Sequence, residues 1–261
     1  MSQVSGPGWS LSLYPKAAEG GGRFVGSVPR VHYSGVRGEA QDPERANAQA
    51  ARRARTRVRR YCVANGLSRL GTLTYAPLPE AERVFLRGTA VRCADPAAVR
   101  AHVADYFRSM RKALGGKPLP YVWVPELHKD GVNFHIHFAL GRYVPWMLVR
   151  DAWGRGGVKM KLLSDLPVGS GSLEESRHTA GYLSKYVAKQ FADSSIRDMG
   201  MHHYDVAQGF QPKRVRIWGR SPEEVLARAS ETFGQDPSRQ WSSADDEDWV
   251  GPPAIWAQWG R

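Results

Sequence analysis

Two short apolar segments, residues 121–127 and 133–140, constrain the fold of this chain more than any other feature. Each has the length and the β-branched and aromatic content of a strand. Asp130-Gly131 lies between them, and this dipeptide favours the tight reversal of a β-hairpin. The sequence therefore predicts an antiparallel pair of strands around which a sheet can form.

The second of these strands has two unlike faces. Phe134, Ile136 and Phe138 alternate with His135 and His137. Because successive side chains of a strand point to opposite sides, the apolar residues should enter a core, and the two imidazoles should share the other face about 7 Å apart. Two imidazoles at this spacing are suited to bind one cation. The same pair is also compatible with exposed histidines, or with histidines that cap a core.

The partner strand offers a third ligand. If the hairpin closes at Asp130-Gly131, Glu126 comes close to His135 on the neighbouring strand. One carboxylate and two imidazoles leave coordination positions open for water and for a substrate oxygen. This set suits Mg²⁺ or Mn²⁺, and zinc, nickel or cobalt also bind such ligands. His128 is a further candidate, but its position at the turn favours a solvated histidine.

The remaining pattern predicts an α+β fold with a central antiparallel sheet of about five strands and helices packed on it. Asp42-Pro43 and Asp95-Pro96 are typical helix starts, because a capping side chain precedes proline. Helices are expected at residues 42–66, 95–116, 144–153 and 173–191, and from Pro222 onward. Strands are expected at residues 68–75, 121–127, 133–140, 157–163 and 214–218. We expect three regions: a Gly-rich N-terminal segment of loop with one short strand at most (1–40), a main domain (41–233) and an acidic, then Trp/Pro-rich tail (234–261).

Composition narrows the classes of function. The 261 residues are 42% hydrophobic, which is enough for a core, and no run of about 18 apolar residues predicts a membrane-spanning helix. The N-terminal residues lack the order of a signal peptide, and the two cysteines have no zinc-like spacing, so we expect a reducing, cytoplasmic location. The net charge of +12 favours a polyanionic partner. The sequence has no phosphate-binding loop of an ATP-driven helicase.

A later helix carries the repeat Tyr182-Leu-Ser-Lys-Tyr-Val-Ala-Lys189. Tyr182 and Tyr186 are four residues apart, as are Lys185 and Lys189, so each pair lies one turn apart on a helix face. A phenol with a pKa of about 10 is a poor nucleophile at neutral pH, and nearby cations favour its phenolate. Opposite a divalent cation, this helix predicts nucleophilic attack on a phosphodiester. The structural alternative is two tyrosines that bury their rings beside solvated lysines.

Two further groups are candidates for nucleic-acid contact. Arg52, Arg55 and Arg59 recur at helical spacing on one face of the first predicted helix. Such a face fits phosphate contacts, and it equally fits a solvated helix surface. Trp218 lies in the basic, aromatic segment 210–220, which suits base stacking. An edge strand with a tryptophan in the core explains the same segment.

Three motifs, taken in order, resemble those of the HUH endonuclease superfamily, specifically the two-tyrosine rolling-circle replication initiators of bacterial plasmids and isometric phages. Gly71-Thr-Leu-Thr-Tyr75 is similar to the family's strand motif. The strand with His135 and His137 looks like the metal-binding His-hydrophobic-His motif, and residues 182–189 look like the catalytic helix. The resemblance covers about residues 70–191, and neither the first 60 residues nor the tail has a counterpart.

The resemblance implies an HUH/RRM-like palm fold. It also implies a metal-dependent, site-specific single-strand DNA endonuclease and ligase that starts rolling-circle replication through a 5′-phosphotyrosine intermediate. By position, it assigns metal binding to His135, His137 and Glu126, nucleophilic attack to Tyr182 and Tyr186, and contact with the phosphate or the phenolate to Lys185 and Lys189. Gln190, four residues after Tyr186, is the alternative third ligand by comparison with transposase relatives. Which tyrosine attacks first stays open, because each has a lysine three positions on.

The implied partners are single-stranded or supercoiled origin DNA and a host helicase, in a bacterial cytoplasm. A relaxase or single-strand transposase is the nearest alternative, but relaxases typically have a histidine triplet, and these transposases are shorter with one tyrosine. A non-catalytic DNA-binding protein on the same scaffold is the alternative from another class. An RNA-binding domain of similar sheet architecture fits less well, because a clear aromatic RNP motif is lacking.

Overall fold

The computed structural model describes residues 7–26, 42–86, 88–161, 172–192 and 203–260, without the side chains of Gln190 and Ala192. The chain divides into two compact units. We call Glu44–Phe210 the central unit, and Met1–Pro43 together with Gln211–Arg261 the terminal unit. Within the described ranges, no helix combines the length and the apolar character needed to cross a membrane.

The described helices and strands are numbered in chain order. The helices are α1 (Pro43–Ala64), α2 (Pro96–Ala113), α3 (Trp146–Trp153), α4 (Leu173–Ala192) and α5 (Pro222–Glu231). The strands are β1 (Gly8–Tyr14), β2 (Glu19–Val25), β3 (Arg69–Thr74), β4 (Phe85–Leu86), β5 (Thr89–Ala90), β6 (Tyr121–Leu127), β7 (Phe134–Leu140), β8 (Val158–Lys161), β9 (Asp205–Val206), β10 (Val215–Gly219), β11 (Arg239–Ser242) and β12 (Ala254–Gln258).

The central unit contains an antiparallel sheet of five strands in the order β8-β3-β7-β6-β9. This sheet confirms the predicted α+β class. The hairpin of β6 and β7 has the expected pairing, with Glu126 opposite His135. In its connection Gly131 has a φ of 67°, and the Asp130 carboxylate accepts hydrogen bonds from the backbone N–H groups of Val132 and Asn133. The Asp-Gly pair therefore shapes the turn, as predicted.

The two faces of this sheet pack against different helices. On one face, Phe134, Ile136 and Phe138 join a core with buried residues of α2 and α3. On the other face, Val124 and Ala139 join a second core with buried residues of α1 and α4. The alternation in β7 thus predicted its apolar face correctly. The histidines share the second face with α1 and α4, so that α4 is positioned to deliver side chains to them.

Local signals located the helices of the central unit well. The Asp95 side chain accepts hydrogen bonds from the backbone N–H groups of Ala97 and Ala98, and Pro96 follows as the first residue of α2. The side chains that the periodicity assigned to the buried face of α2 are inside: Val99, Val103, Tyr106, Phe107 and Met110. The predicted strand at 157–163 is β8, which ends at Lys161, and residues 162–163 lie outside the described ranges.

The terminal unit differs from the expectation of a loop segment and a tail. Its five antiparallel strands have the order β10-β1-β2-β12-β11, and α5 packs on β10 and β1. Reading residues 8–25 as mostly loop was therefore wrong, and so was reading residues 239–258 as a tail without strands. The division into two units also differs from the expected boundaries at residues 40 and 233.

The glycine run in β2 explains why the sequence pattern misled. Gly20 lies against Leu11, Leu13 and Trp259, and a Cβ atom there would come within 3.1 Å of the Leu11 side chain. Gly22 lies against Leu11 and Ile255 in the same way. The large side chains that fill this core come from other strands, so β2 has no apolar alternation of its own. A local pattern cannot detect such a strand.

Candidate metal and tyrosine site

Three side chains from the β6–β7 hairpin converge on one point. Glu126 and His135 are paired across the two strands, and His137 follows two positions along β7 on the same face. The Glu126 Oε2 atom lies 2.7 Å from Nε2 of His135 and 2.7 Å from Nε2 of His137, and the two nitrogens are 3.0 Å apart. The sequence predicted this cluster because strand pairing and alternation alone produce it.

The donor set and its spacing fit a divalent cation. In an octahedral site with ligands about 2.1 Å from the ion, neighbouring ligand atoms are about 3.0 Å apart, whereas tetrahedral zinc separates them by about 3.4 Å. The three observed separations match one triangular face of an octahedron. Glu126 and His137 are buried and His135 is half-buried, which leaves the opposite side of such a face open to substrate and water.

The protonation of the cluster favours metal binding. Burial by itself would raise the pKa of Glu126, but hydrogen bonds from His135, His137 and Lys189 outweigh it and hold the pKa well below its usual range. Burial lowers the pKa of His137, and the neighbouring Glu126 opposes that shift only in part. A carboxylate beside a neutral imidazole is the form that ligates a cation.

Thr72 on the neighbouring strand orients His137. The two residues are paired in the β3–β7 register, and Thr72 Oγ1 lies 3.1 Å from His137 Nδ1. For Nε2 to ligate a cation, Nδ1 must carry the proton and donate it to the hydroxyl. Thr72 belongs to the predicted strand motif, but its role as a positioning residue was missed, since it depends on how β3 pairs with β7.

Both tyrosines of α4 lie at this cluster. The ring of Tyr186 stacks on that of His137 with centroids 3.7 Å apart, and the centroid of Tyr182 is 6.4 Å from that of His137. The Tyr186 hydroxyl donates a hydrogen bond of 2.7 Å to the Tyr182 hydroxyl. Burial and this hydrogen bond raise the pKa of Tyr186. The helix holds both phenols in place because Leu183 and Val187 are buried in the second core.

The lysines of the repeat have different surroundings. The Lys189 ammonium group contacts Oε1 of Glu126, the oxygen that does not face the histidines. Lys185 is exposed. A lysine from another element, Lys161 of β8, lies over the ring of Tyr182 with its Nζ 3.9 Å from the centroid.

Lys159 and Lys161 form a basic edge that the sequence interpretation missed. They lie two positions apart on β8 and pair with Thr72 and Leu70, so they share the face of the histidines. A cavity of about 280 Å³ joins these lysines to Thr72 and Tyr182. The alternating Val-Lys-Met-Lys of β8 was a usable signal for one basic face.

The other predicted nucleic-acid contacts lie elsewhere. Arg52 and Arg55 are exposed on α1, and Arg59 is half-buried there. Trp218 lies on β10 of the terminal unit, half-buried, with the Arg216 guanidinium 5.9 Å from its ring centroid. The side chain of Gln190, the alternative ligand, lies outside what the structure describes, and the described cluster consists of Glu126, His135 and His137.

Comparison with known proteins bears on the segment that builds this site. Residues 68–191 match the family model of the ORF2-type replication-associated protein. That family comprises rolling-circle replication initiators, and the match supports the general replication-initiator class. The matched segment contains Thr72, the Glu/His/His cluster and both tyrosines, and it lies within the central unit. No curated protein and no solved structure matches the chain.

Proposed function

We propose that the chain is a metal-dependent enzyme that nicks and rejoins single-stranded DNA, and that it starts rolling-circle replication from a plasmid or phage origin in the bacterial cytoplasm. The observation that carries the proposal is the stacking of Tyr186 on His137, which sets two phenols beside a cation-binding cluster. Nucleophile and cation site then lie on one side of the sheet, as displacement at phosphorus requires.

Glu126, His135 and His137 would hold Mg²⁺ or Mn²⁺. When bound, the cation would withdraw charge from a non-bridging phosphate oxygen and so reduce the repulsion that protects a phosphodiester from attack. Thr72 keeps His137 in the tautomer that this requires, and Lys189 holds the Glu126 carboxylate in position. Lys159 and Lys161 supply a basic edge where the DNA backbone enters beside Tyr182.

Tyr182 is the first nucleophile in this proposal. Its oxygen accepts the hydrogen bond of Tyr186, and the Lys161 ammonium lies over its ring, so positive partners surround the charge that develops during attack. The phenol oxygen forms a bond to phosphorus while the bond from phosphorus to the 3′-oxygen breaks. The proton lost by the phenol is balanced by the proton gained on the new 3′-hydroxyl. The downstream strand is left on Tyr182 through a 5′-phosphotyrosine bond.

The second tyrosine makes a second transfer possible without release of the first strand. Tyr186 begins as a proton donor to Tyr182, and its raised pKa keeps it protonated at that stage. When Tyr182 is esterified, Tyr186 is the phenol beside the same cluster. Attack of a 3′-hydroxyl on the phosphotyrosine reverses the first step and rejoins a strand, because the ester stores the energy of the cleaved bond.

Arg52, Arg55 and Arg59 on α1 and Trp218 on β10 are the additional DNA contacts that we propose. The arginines would neutralise phosphates, and Trp218 would stack a base next to Arg216. We propose a helicase of the host as the partner that unwinds the nicked DNA, since the sequence has no phosphate-binding loop of its own.

The experiment uses a 40-nucleotide single-stranded DNA library of random sequence, labelled with fluorescein at either the 3′ or the 5′ end. With Mn²⁺, we expect a protein-DNA adduct on denaturing gels that carries the 3′ label and lacks the 5′ label. It should disappear with EDTA and in the Tyr182→Phe/Tyr186→Phe double variant. Sequencing the DNA recovered from the adduct identifies the nicking site.

A non-catalytic DNA-binding protein would bind the library without forming an adduct under any metal condition. That result would overturn the enzyme proposal. His135→Ala separates binding from chemistry, since it should abolish the adduct while the fraction of library bound in a native gel changes little. A full adduct yield in His135→Ala under limiting Mn²⁺ would contradict the metal assignment.

A further inference from the structure

A second cavity, of about 240 Å³, opens at the end of the basic edge. Its wall includes Arg69, Tyr143, Trp146, Met160, Lys161 and Glu175. These residues come from β3, the loop after β7, α3, β8 and α4. Buried Leu140 and Val149 complete an apolar lining, so the cavity suits a flat, apolar group better than an ion.

The rim of this cavity is aromatic and basic. Tyr143 is 66% exposed and Trp146 is 45% exposed, which is unusual for aromatic side chains beside an apolar cavity. The Arg69 guanidinium lies 5.8 Å from the ring centroid of Tyr143. Exposed aromatic rings next to cationic groups are the combination that proteins use for the bases and the backbone of single-stranded nucleic acid.

The cavity adjoins the tyrosine site. Lys161 lines both cavities, and its ammonium lies over the ring of Tyr182. A strand whose phosphate lies at Tyr182 therefore passes Lys161 before it reaches Trp146. The buried carboxylate of Glu175 in the wall repels a phosphate. The backbone should thus stay on the lysine and arginine side, with the base inside.

We propose that this cavity binds one nucleobase of the single-stranded DNA next to the cleaved phosphate, stacked on Trp146. This proposal rests on the proposed function, because it takes the strand at Tyr182 as its starting point. The cavity then contributes affinity that depends on a base rather than on phosphate charge. It also holds the strand in register with the tyrosines, as positioning of a substrate requires.

The test measures binding in EDTA, where no chemistry occurs. Fluorescein-labelled dT15 is compared with an abasic 15-mer that has the same number of phosphates, by fluorescence anisotropy at one salt concentration. Trp146→Ala should weaken dT15 binding about fivefold or more and change binding of the abasic strand less than about twofold. Phe85→Ala, which removes a 63% exposed aromatic ring on β4, is the matched control and should change neither.

Two results would overturn the proposal. One is unchanged dT15 binding in Trp146→Ala, which is also expected if a protein segment occupies the cavity. The other is an equal loss for dT15 and the abasic strand. A photocrosslink from a 5-iodouracil 15-mer to the wild-type protein gives an independent measurement without a variant. We expect it to map to the peptide with Tyr143 and Trp146, and crosslinks found only in other peptides contradict the assignment.

The outcomes for the two proposals are distinguishable. If the metal-dependent adduct fails to form but Trp146→Ala still removes base-dependent binding, the enzyme proposal fails and the base-binding cavity stands. If the adduct forms but Trp146 affects neither measurement, the cavity proposal alone fails.

Discussion

Glu126 depends on two different partners for its two carboxylate oxygens. Oε2 faces both histidines, and Oε1 contacts the Lys189 ammonium. A carboxylate anchored in this way can offer one oxygen as a ligand without rotating. We therefore propose that Lys189 acts by positioning Glu126 rather than by touching the phosphate. Lys161, which lies over Tyr182, takes the place beside the phenol that the repeat suggested for Lys185 or Lys189.

Thr72→Val tests whether the orientation of His137 matters for metal binding. Valine keeps the shape of threonine but removes the hydroxyl at His137 Nδ1, so we expect Mn²⁺ affinity to fall about 10- to 100-fold. Electron paramagnetic resonance titration of free Mn²⁺ measures it. Thr74→Val is the control, since the Thr74 hydroxyl bonds to the Gly157 carbonyl instead. Equal affinity in the two variants would show that Thr72 does not orient the ligand.

The single tyrosine variants test the order of attack. Tyr182→Phe should remove the first adduct, because the phenol that accepts a hydrogen bond and lies under Lys161 is gone. Tyr186→Phe should still form the adduct but fail to transfer a second strand to the protein. Single-turnover gels with the recovered nicking-site oligonucleotide distinguish the steps. Full first cleavage by Tyr182→Phe would assign the first attack to Tyr186.

The elements of the central unit show what a sequence can predict about such a site. The Glu126–His135 pair followed from one hairpin, because a short turn sets the register of neighbouring strands. Lys159 and Lys161 could not be placed in this way. Their position beside the histidines depends on the pairing of β8 with β3 and of β3 with β7, between segments far apart in sequence.

Gly71 shows how tightly β3 fits its neighbours. A Cβ atom there would lie 2.3 Å from Cζ of Phe138 and 3.0 Å from Sδ of Met160. Gly71→Ala should therefore reduce the free energy of unfolding by about 1–3 kcal/mol. Gly181→Ala is the matched control, because a Cβ atom there meets open space within α4 and should stabilise the helix by about 0.5–1 kcal/mol. Urea unfolding measures both, and a stable Gly71→Ala would contradict the packing of β3.

At the scale of the molecule, the matched family segment accounts for one unit only. The terminal unit, with its own five-stranded sheet, lies outside the match. Its strands escaped prediction because Gly20 and Gly22 are covered by side chains from β1 and β12 and by Trp259, which are distant in the chain. The same long-range dependence hid the basic edge of the central unit.

The net charge of +12 leads to a prediction for DNA binding by the whole molecule. Arg52→Gln/Arg55→Gln removes two exposed charges from α1, and each lost phosphate contact should reduce the slope of log affinity against log salt by about 0.7. Arg100→Gln/Arg111→Gln on α2, which packs on the other face of the sheet, should change the slope little. Anisotropy of labelled dT15 from 50 to 200 mM salt measures it. Equal slopes for the two variants would indicate a diffuse charge effect.

The most direct test of the account is to find the residue that carries the nucleotide. The adduct formed with Mn²⁺ is digested and its peptides are analysed by mass spectrometry. We expect the nucleotide on Tyr182 in the wild type, and none on either tyrosine when His137→Ala removes a ligand of the cluster. A nucleotide bound at another residue, or an undiminished yield on Tyr182 in His137→Ala, would contradict the joint action of cluster and tyrosines.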